Sequence, residues 1–298
     1  MTIPSRPLRI LITAILMFVI AANIAFLIAT FSSGERTDRI ISGVIPRHFI
    51  RQFDSDPLEN YDGIHGIAHN SGDSLDKIAS AVEAGAHGIE IDVIPYRGEL
   101  YARHNQPLIV FGEFGFRPVL LEDAWAAAET EVIQLDLKET SPIFLRDVSA
   151  FLERHQDDSR IALVSSWDVE TLRYFQDRNP GIGRLLSVGT LNAYDELRNS
   201  VDSLQESDLL DGVTVFHELL DLTSVRWLDE HELLVFAWTV EPLSRVNELT
   251  LLGVDAIVTD NLSILNLLRE RRQFEEVATP FAELATPAGR DPAKAESQ

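Results

Sequence analysis

Glu90 and Asp92 stand two positions apart in GIEIDV, among apolar and β-branched residues that read as a strand. Side chains alternate along a strand, so both carboxylates point to one side while Ile89 and Ile91 point to the other. VIQLDLK repeats the arrangement, with Asp136 and Lys138 adding a third carboxylate and an ammonium at the end of another strand. Inward acids are costly unless positive charge meets them. Three carboxylates without sulfur form a hard-oxygen site, suited to Mg2+ or Ca2+ rather than zinc. A single Glu-x-Asp in a strand reads first as a solvated edge or a structural ion pair. Two such pairs at strand ends, with histidines beside them, point to a metal site.

His69 ends the first strand pattern (GIAHNSGD) and His104 ends the third (ELYARHNQP). Standing on either side of the acid pair, they could both reach one reacting group. Two imidazoles near a divalent cation make an acid/base pair for displacement at phosphorus: one activates or attacks, and the other protonates the leaving alkoxide. His65, His87, His155, His217 and His231 read as structural residues.

The elements that must position these groups alternate along the chain. Strand patterns cover residues 64–69, 88–93, 99–103, 132–137, 161–165, 184–188, 212–216, 234–239 and 256–259. Helical patterns cover 75–84, 121–129, 144–155, 169–178, 223–231, 242–252 and 262–271. Near-continuous apolar strands separated by helices predict a parallel sheet covered by helices, an α/β TIM (β/α)8 barrel. Nine strand patterns exceed the eight staves by one. The 99–103 segment, with no helix before it, is expected to be a hairpin arm. A doubly wound open sheet is the alternative, but no glycine-rich dinucleotide turn or P-loop occurs.

Composition narrows the classes. The 298 residues carry 25 Lys+Arg against 47 Asp+Glu, a net charge of −22, with no Cys. Such acidity excludes nucleic acid as the expected partner, since phosphate binding needs concentrated basic surface. The missing Cys removes disulfides, thiolate zinc sites and Cys nucleophiles. The mean hydropathy of +0.02 averages dissimilar parts. From residue 10 to 31 an apolar run free of charge is long enough to cross a bilayer, and we read it as a single-pass N-terminal membrane anchor. A cleaved signal peptide is the alternative, but the run is long for that role and no Ala-x-Ala site follows it. Arginines flank the run on both sides, and the barrel is expected on the extracytoplasmic side. The predicted organisation is thus an N-terminal segment (1–9), the anchor (10–31), a juxtamembrane linker (32–60), the barrel (61–272) and a disordered, Pro- and Ala-rich tail (273–298).

Taken in order, His69, AVEAGAHGIEIDV, ELYARHNQP, LDLK, ALVSSWD, FAWTVE and GVDAIVTDN resemble the glycerophosphodiester phosphodiesterase family of the PLC-like phosphodiesterases. The resemblance runs over most of residues 64–262. It implies a TIM barrel, a divalent cation, two catalytic histidines at His69 and His104, and metal ligation by Glu90 and Asp92. Asp136 falls where the family usually has a Glu ligand, with the family's lysine preserved as Lys138. Trp238 matches the aromatic residue of a late Trp-Thr-Val motif that lines the substrate site. The implied activity is cleavage of glycerophosphodiesters to an alcohol and glycerol 3-phosphate.

The sequence also departs from the family's pattern. Asn70 follows His69 where the family has an arginine able to hold a phosphate oxygen bidentately. Gly72-Asp73-Ser74 replaces Glu-Asn-Thr, and His104-Asn105 replaces His-Asp. A short first loop, the Asp-x-Lys and the missing arginine resemble instead the sphingomyelinase D/phospholipase D branch, which takes lysophospholipid or sphingolipid substrates and forms a cyclic phosphate. A membrane-tethered binding barrel without catalysis is the reading from another class. Lys138 either binds a phosphate oxygen or neutralises Asp136, and Trp238 is either core or a wall of the substrate site. Trp167 is a similar aromatic candidate, Asp260 reads as a cap of the last helix, and GEFGF at 112–116 reads as an apolar surface loop.

Overall fold

Near-continuous apolar runs become strands, and recurrence every three to four residues becomes helices. The computed structural model describes residues 64–105, 118–155 and 159–272. Among them the strands are β1 (His65–Ala68), β2 (Gly88–Tyr96), β3 (Glu99–Ala102), β4 (Val119–Leu120), β5 (Val132–Leu137), β6 (Ile161–Ser166), β7 (Gly183–Val188), β8 (Gly212–Phe216), β9 (Leu234–Trp238) and β10 (Ala256–Thr259). The helices are α1 (Leu75–Glu83), α2 (Leu121–Ala127), α3 (Pro142–Arg154), α4 (Val169–Arg178), α5 (Leu191–Glu206), α6 (Leu222–Glu230), α7 (Leu243–Leu252) and α8 (Leu262–Arg272). The anchor at 10–31, the linker at 32–60, the tail at 273–298 and the 112–116 loop lie outside the described residues. Among the described residues no helix is long and apolar enough to cross a membrane.

Strands β2, β5, β6, β7, β8, β9 and β10 pair in parallel in that order. β1 pairs in parallel with both β10 and β2, which closes the sheet into an eight-stranded barrel. The barrel expected from the strand-helix alternation is therefore the one observed. β3 runs antiparallel to the outer half of β2, with β4 antiparallel to β3, so residues 99–103 supply the hairpin arm. Its turn places Arg97 and Gly98 at φ 50° and 83°, as a tight two-residue hairpin requires.

Helix α5 is absent from the sequence expectation. Its buried positions Tyr194, Leu197, Val201 and Leu204 follow helical spacing, and the Thr190 hydroxyl accepts from the Ala193 N–H at its start. Asp, Glu, Asn, Ser and Gln fill the positions between, and that polar background masks a narrow apolar stripe.

The barrel interior changes character along its axis. Ile67, Val132, Leu163, Leu185, Phe236, Ala256 and Val258 pack into one buried cluster. Gly88 leaves the room this needs, because a Cβ there would lie 2.7 Å from Ile67 Cδ1 and 2.9 Å from Val132 Cβ. Alternation then carries the inward positions of β2 and β5 from Gly88 and Val132 up to Glu90, Asp92, Gln134 and Asp136. An apolar plug at the N-terminal ends of the strands thus supports a polar layer toward their C-terminal ends.

Candidate functional site

The polar layer is built around β2 and β5, whose parallel register sets Asp92 beside Asp136. Donor oxygens of Glu90, Asp92 and Asp136 lie within 4.8 Å of one another, and all three residues are buried. Lys138 Nζ meets Asp92 Oδ1 at 2.6 Å and also contacts Asp136 Oδ2. The Ser165 hydroxyl donates to Asp136 Oδ1 at 2.7 Å and accepts from the Gln134 amide at 3.0 Å, fixing the outer carboxylate from β6.

These charges do not balance. Burial, followed by the charges of Asp92 and Asp136, holds the Glu90 carboxyl well above the usual carboxylate range. Burial also opposes the ionised form of Asp92, but the hydrogen bond from His104 and the charge of Lys138 outweigh it and keep Asp92 below the ordinary value. For Lys138, burial works against the charge, and the Asp136 and Asp92 carboxylates reverse this and raise its pKa. Three carboxylates facing one ammonium leave two negative charges over, which a divalent cation would cancel. Oxygens on opposite sides of Mg2+ or Ca2+ stand roughly 4–5 Å apart, so the spacing of the three donors also fits such an ion.

Each histidine is tied to this cluster by one hydrogen-bonded step. His104 follows β3; its Nδ1 lies 2.8 Å from Asp92 Oδ2, and its backbone N–H donates to Asp73 Oδ1 at 3.0 Å. His69 follows β1. Its neighbour Asn70 adopts the left-handed conformation, φ 46°, which turns the Asn70 N–H onto Glu90 Oε2 at 2.5 Å. His69 Nδ1 lies 3.1 Å from Asp260 Oδ2, and its Nε2 lies 3.3 Å from the Thr239 hydroxyl. A carboxylate only accepts, so each Nδ1 donates to its carboxylate, while His69 Nε2 is met by the Thr239 hydroxyl and, at 3.1 Å, by the Asn70 side-chain amide nitrogen.

The structure brings His69, Glu90, Asp92, His104, Asp136 and Lys138 together as the sequence leads one to expect. Trp238 lies beside them, next to Thr239, packed edge-on against Trp167 at 5.9 Å between ring centroids and against the tilted ring of Phe216 at 5.6 Å. Gly189 meets both indoles; a Cβ there would lie 2.6 Å from Trp167 and 3.3 Å from Trp238. The expected capping role of Asp260 is corrected: the Asn261 side chain accepts from the Ser263 N–H at the start of α8, and Asp260 turns to His69 instead. Thr239, Ser165 and Gln134 are partners to which the sequence alone assigns no role. Thr239 and Ser165 share one signal, position at or beside the C-terminal end of a barrel strand.

Residues 126–264 match the Glycerophosphoryl diester phosphodiesterase family. That stretch includes Asp136, Lys138, Trp238 and Asp260 and begins after His104, past the region where the sequence departs from the family's first motif. The chain is 28% identical over 244 residues to glycerophosphodiester phosphodiesterase GDPD4 of Arabidopsis thaliana, covering 70% of this chain and 72% of that one. Its fold is similar to that of an Oleispira antarctica phosphodiesterase solved with the product sn-glycerol-3-phosphate, with a TM-score of 0.58 and 20% identity over 69% of this chain and 96% of that one. A glycerophosphodiester phosphodiesterase from Parabacteroides distasonis gives a TM-score of 0.58 at 19% identity, over 71% and 99% of the two chains.

Proposed function

We propose that this chain, a relative of the glycerophosphodiester phosphodiesterase family in sequence and in fold, hydrolyses glycerophosphodiesters to an alcohol and glycerol 3-phosphate with the aid of a divalent cation. The observation that carries the reading is the buried, charge-surplus triad flanked at one barrel mouth by two Asp–His pairs. Glu90, Asp92 and Asp136 would hold the cation, which when bound supplies positive charge for the non-bridging phosphate oxygens. Lys138, fixed between Asp92 and Asp136, shares that task and keeps its proton.

The two histidines divide the proton traffic. His69, oriented through Nδ1 by Asp260, offers Nε2 as base or nucleophile toward phosphorus. His104, oriented through Nδ1 by Asp92, presents Nε2–H to the departing alkoxide. Trp238 closes one side of the substrate site and keeps water from that flank. In this proposal the run at 10–31 anchors the protein in a membrane, with the barrel of residues 61–272 on the extracytoplasmic side.

The test is incubation of the protein with glycerophosphocholine and Mg2+ or Ca2+, followed by phosphorus NMR. Glycerol 3-phosphate supports the proposal. A cyclic phosphate from lysophosphatidylcholine would move the chain to the cyclising branch, whose Asn70 and Asp136 signature it carries. Turnover of neither, or turnover indifferent to EDTA, overturns the reading. Protease added to one side of sealed vesicles tests the anchor and its sidedness.

A further inference from the structure

Every strand-helix unit of the barrel carries one large apolar side chain in the same place. Helices α1, α5, α6, α7 and α8 each begin with a leucine. Ile143 is the second residue of α3, and Leu120 and Trp167 come just before α2 and α4. These eight side chains are between 37% and 65% exposed, and they are the only exposed large hydrophobic residues among the described residues. Helices run back antiparallel to the strands they follow, so all eight starts stand around the C-terminal mouth that holds the acid triad. A lone exposed leucine needs no explanation. One per unit, confined to one end, does.

We propose that this ring is a docking surface for a lipid bilayer, which meets the barrel mouth first. Neighbouring helices in such a layer lie about 10 Å apart, so the eight residues share a level without merging into the contiguous patch that a folded protein partner covers. A fluid, planar apolar medium can take up separate side chains at one depth. Ile143 and Trp167 protrude most, at 65% and 53% exposure, and an indole suits the boundary between acyl chains and head groups. The same chain carries an uncharged run at 10–31, joined to the first described residue through residues 32–63, so a bilayer lies within its reach. Charge selects the kind of lipid. Asp73, Asp76, Glu170 and Asp260 stand near the rim and the whole chain carries −22, which repels anionic head groups and leaves a zwitterionic surface as the partner.

This goes beyond the catalytic reading and its test needs no turnover. The full chain is mixed with phosphatidylcholine vesicles bearing brominated acyl chains, and tryptophan emission is followed. The chain has four tryptophans, none of them in the 10–31 run. Quenching is expected in the wild type and is lost in Trp167→Phe. Ile143→Asp combined with Leu243→Asp should weaken it by about twofold or more, with an unchanged circular dichroism spectrum. Absent quenching in the wild type, or quenching untouched by the paired aspartates, overturns the proposal. Replacing half the phosphatidylcholine by phosphatidylserine at low salt should reduce quenching; an equal or stronger signal overturns the zwitterionic assignment.

Discussion

The two ends of the barrel handle buried charge in opposite ways. At the N-terminal end of β7, Arg184 is 1% exposed and fully engaged: Nε donates to the Leu209 carbonyl at 2.8 Å, Nη1 to that of Ile182 at 3.0 Å, and Nη2 reaches Asp211 Oδ2 at 3.2 Å. One cation meets one anion, and the remaining donors find backbone oxygens. At the C-terminal end, three carboxylates share one lysine, and burial together with the charges of Asp92 and Asp136 drives Glu90 up. The first arrangement balances its own charge, and the second leaves carboxylates in excess, which the proposed cation would offset. Substitutions at the two ends should therefore fail in different ways, the lower end in stability and the upper end in turnover.

The largest effect should come from His104→Ala or His69→Ala. Each is expected to lower kcat/KM by about a thousandfold or more in the phosphorus assay while changing Tm by only about 2 °C. A variant that keeps its activity, or loses it by unfolding, breaks the contrast. Next in size is Arg184→Met, which takes the guanidinium away from Asp211 and from the Leu209 and Ile182 carbonyls. Urea denaturation should show a loss of about 3–5 kcal/mol, with activity per folded molecule unchanged. Asp260→Asn should lower kcat by about ten- to a hundredfold with little change in KM, because the amide can present its N–H to Nδ1 and hold the wrong tautomer. Nitrogen NMR of the His69 ring would report that tautomer directly.

The smallest effect concerns Asp255, at the lower end. Its Oδ2 accepts from the Val235 N–H at 2.7 Å, and burial, with Asp229 adding to it, pushes its carboxyl up to about 6 from the ordinary 3.8. A folded pKa above the unfolded one favours the protonated form in the fold. That stability is fully present below about pH 4 and is lost as pH rises through 6. Asp255→Asn should escape the loss, so its advantage over the wild type in urea midpoint should open between pH 4 and 6. It should then level off at about 1–2 kcal/mol. An advantage that shrinks over that window would mean that the fold lowers the Asp255 pKa instead of raising it.

How far each feature can be read from sequence follows the distance between its parts. Glu90 with Asp92, and Asp136 with Lys138, are legible because two-residue spacing in a strand fixes their common side. The eight staves are legible because their apolar runs are near-continuous and alternate with helical patterns. His69 with Asp260 is not, because these residues meet only where β10 closes on β1, and no local pattern encodes that pairing. Thr239 and Ser165 are hidden for the same reason, being ordinary hydroxyls until neighbouring strands align them. Helix α5 is a different case: its stripe through Tyr194, Leu197, Val201 and Leu204 is present in the sequence and is overlooked among polar neighbours.

The pairing of β1 with β10 also sets an order in time. His69 and Asp260 lie 191 positions apart, so a ribosome adding roughly 5–20 residues per second makes the histidine about 10–40 seconds before its carboxylate partner. During that interval the acids of β2 and β5 are already synthesised, but His69 has no Asp260 to hold its ring. A chain stopped short of β10 would carry both histidines and all three acids and still lack the carboxylate that meets the His69 ring. The contact between the His69 ring and Asp260 therefore waits for the last strand of the barrel to be made.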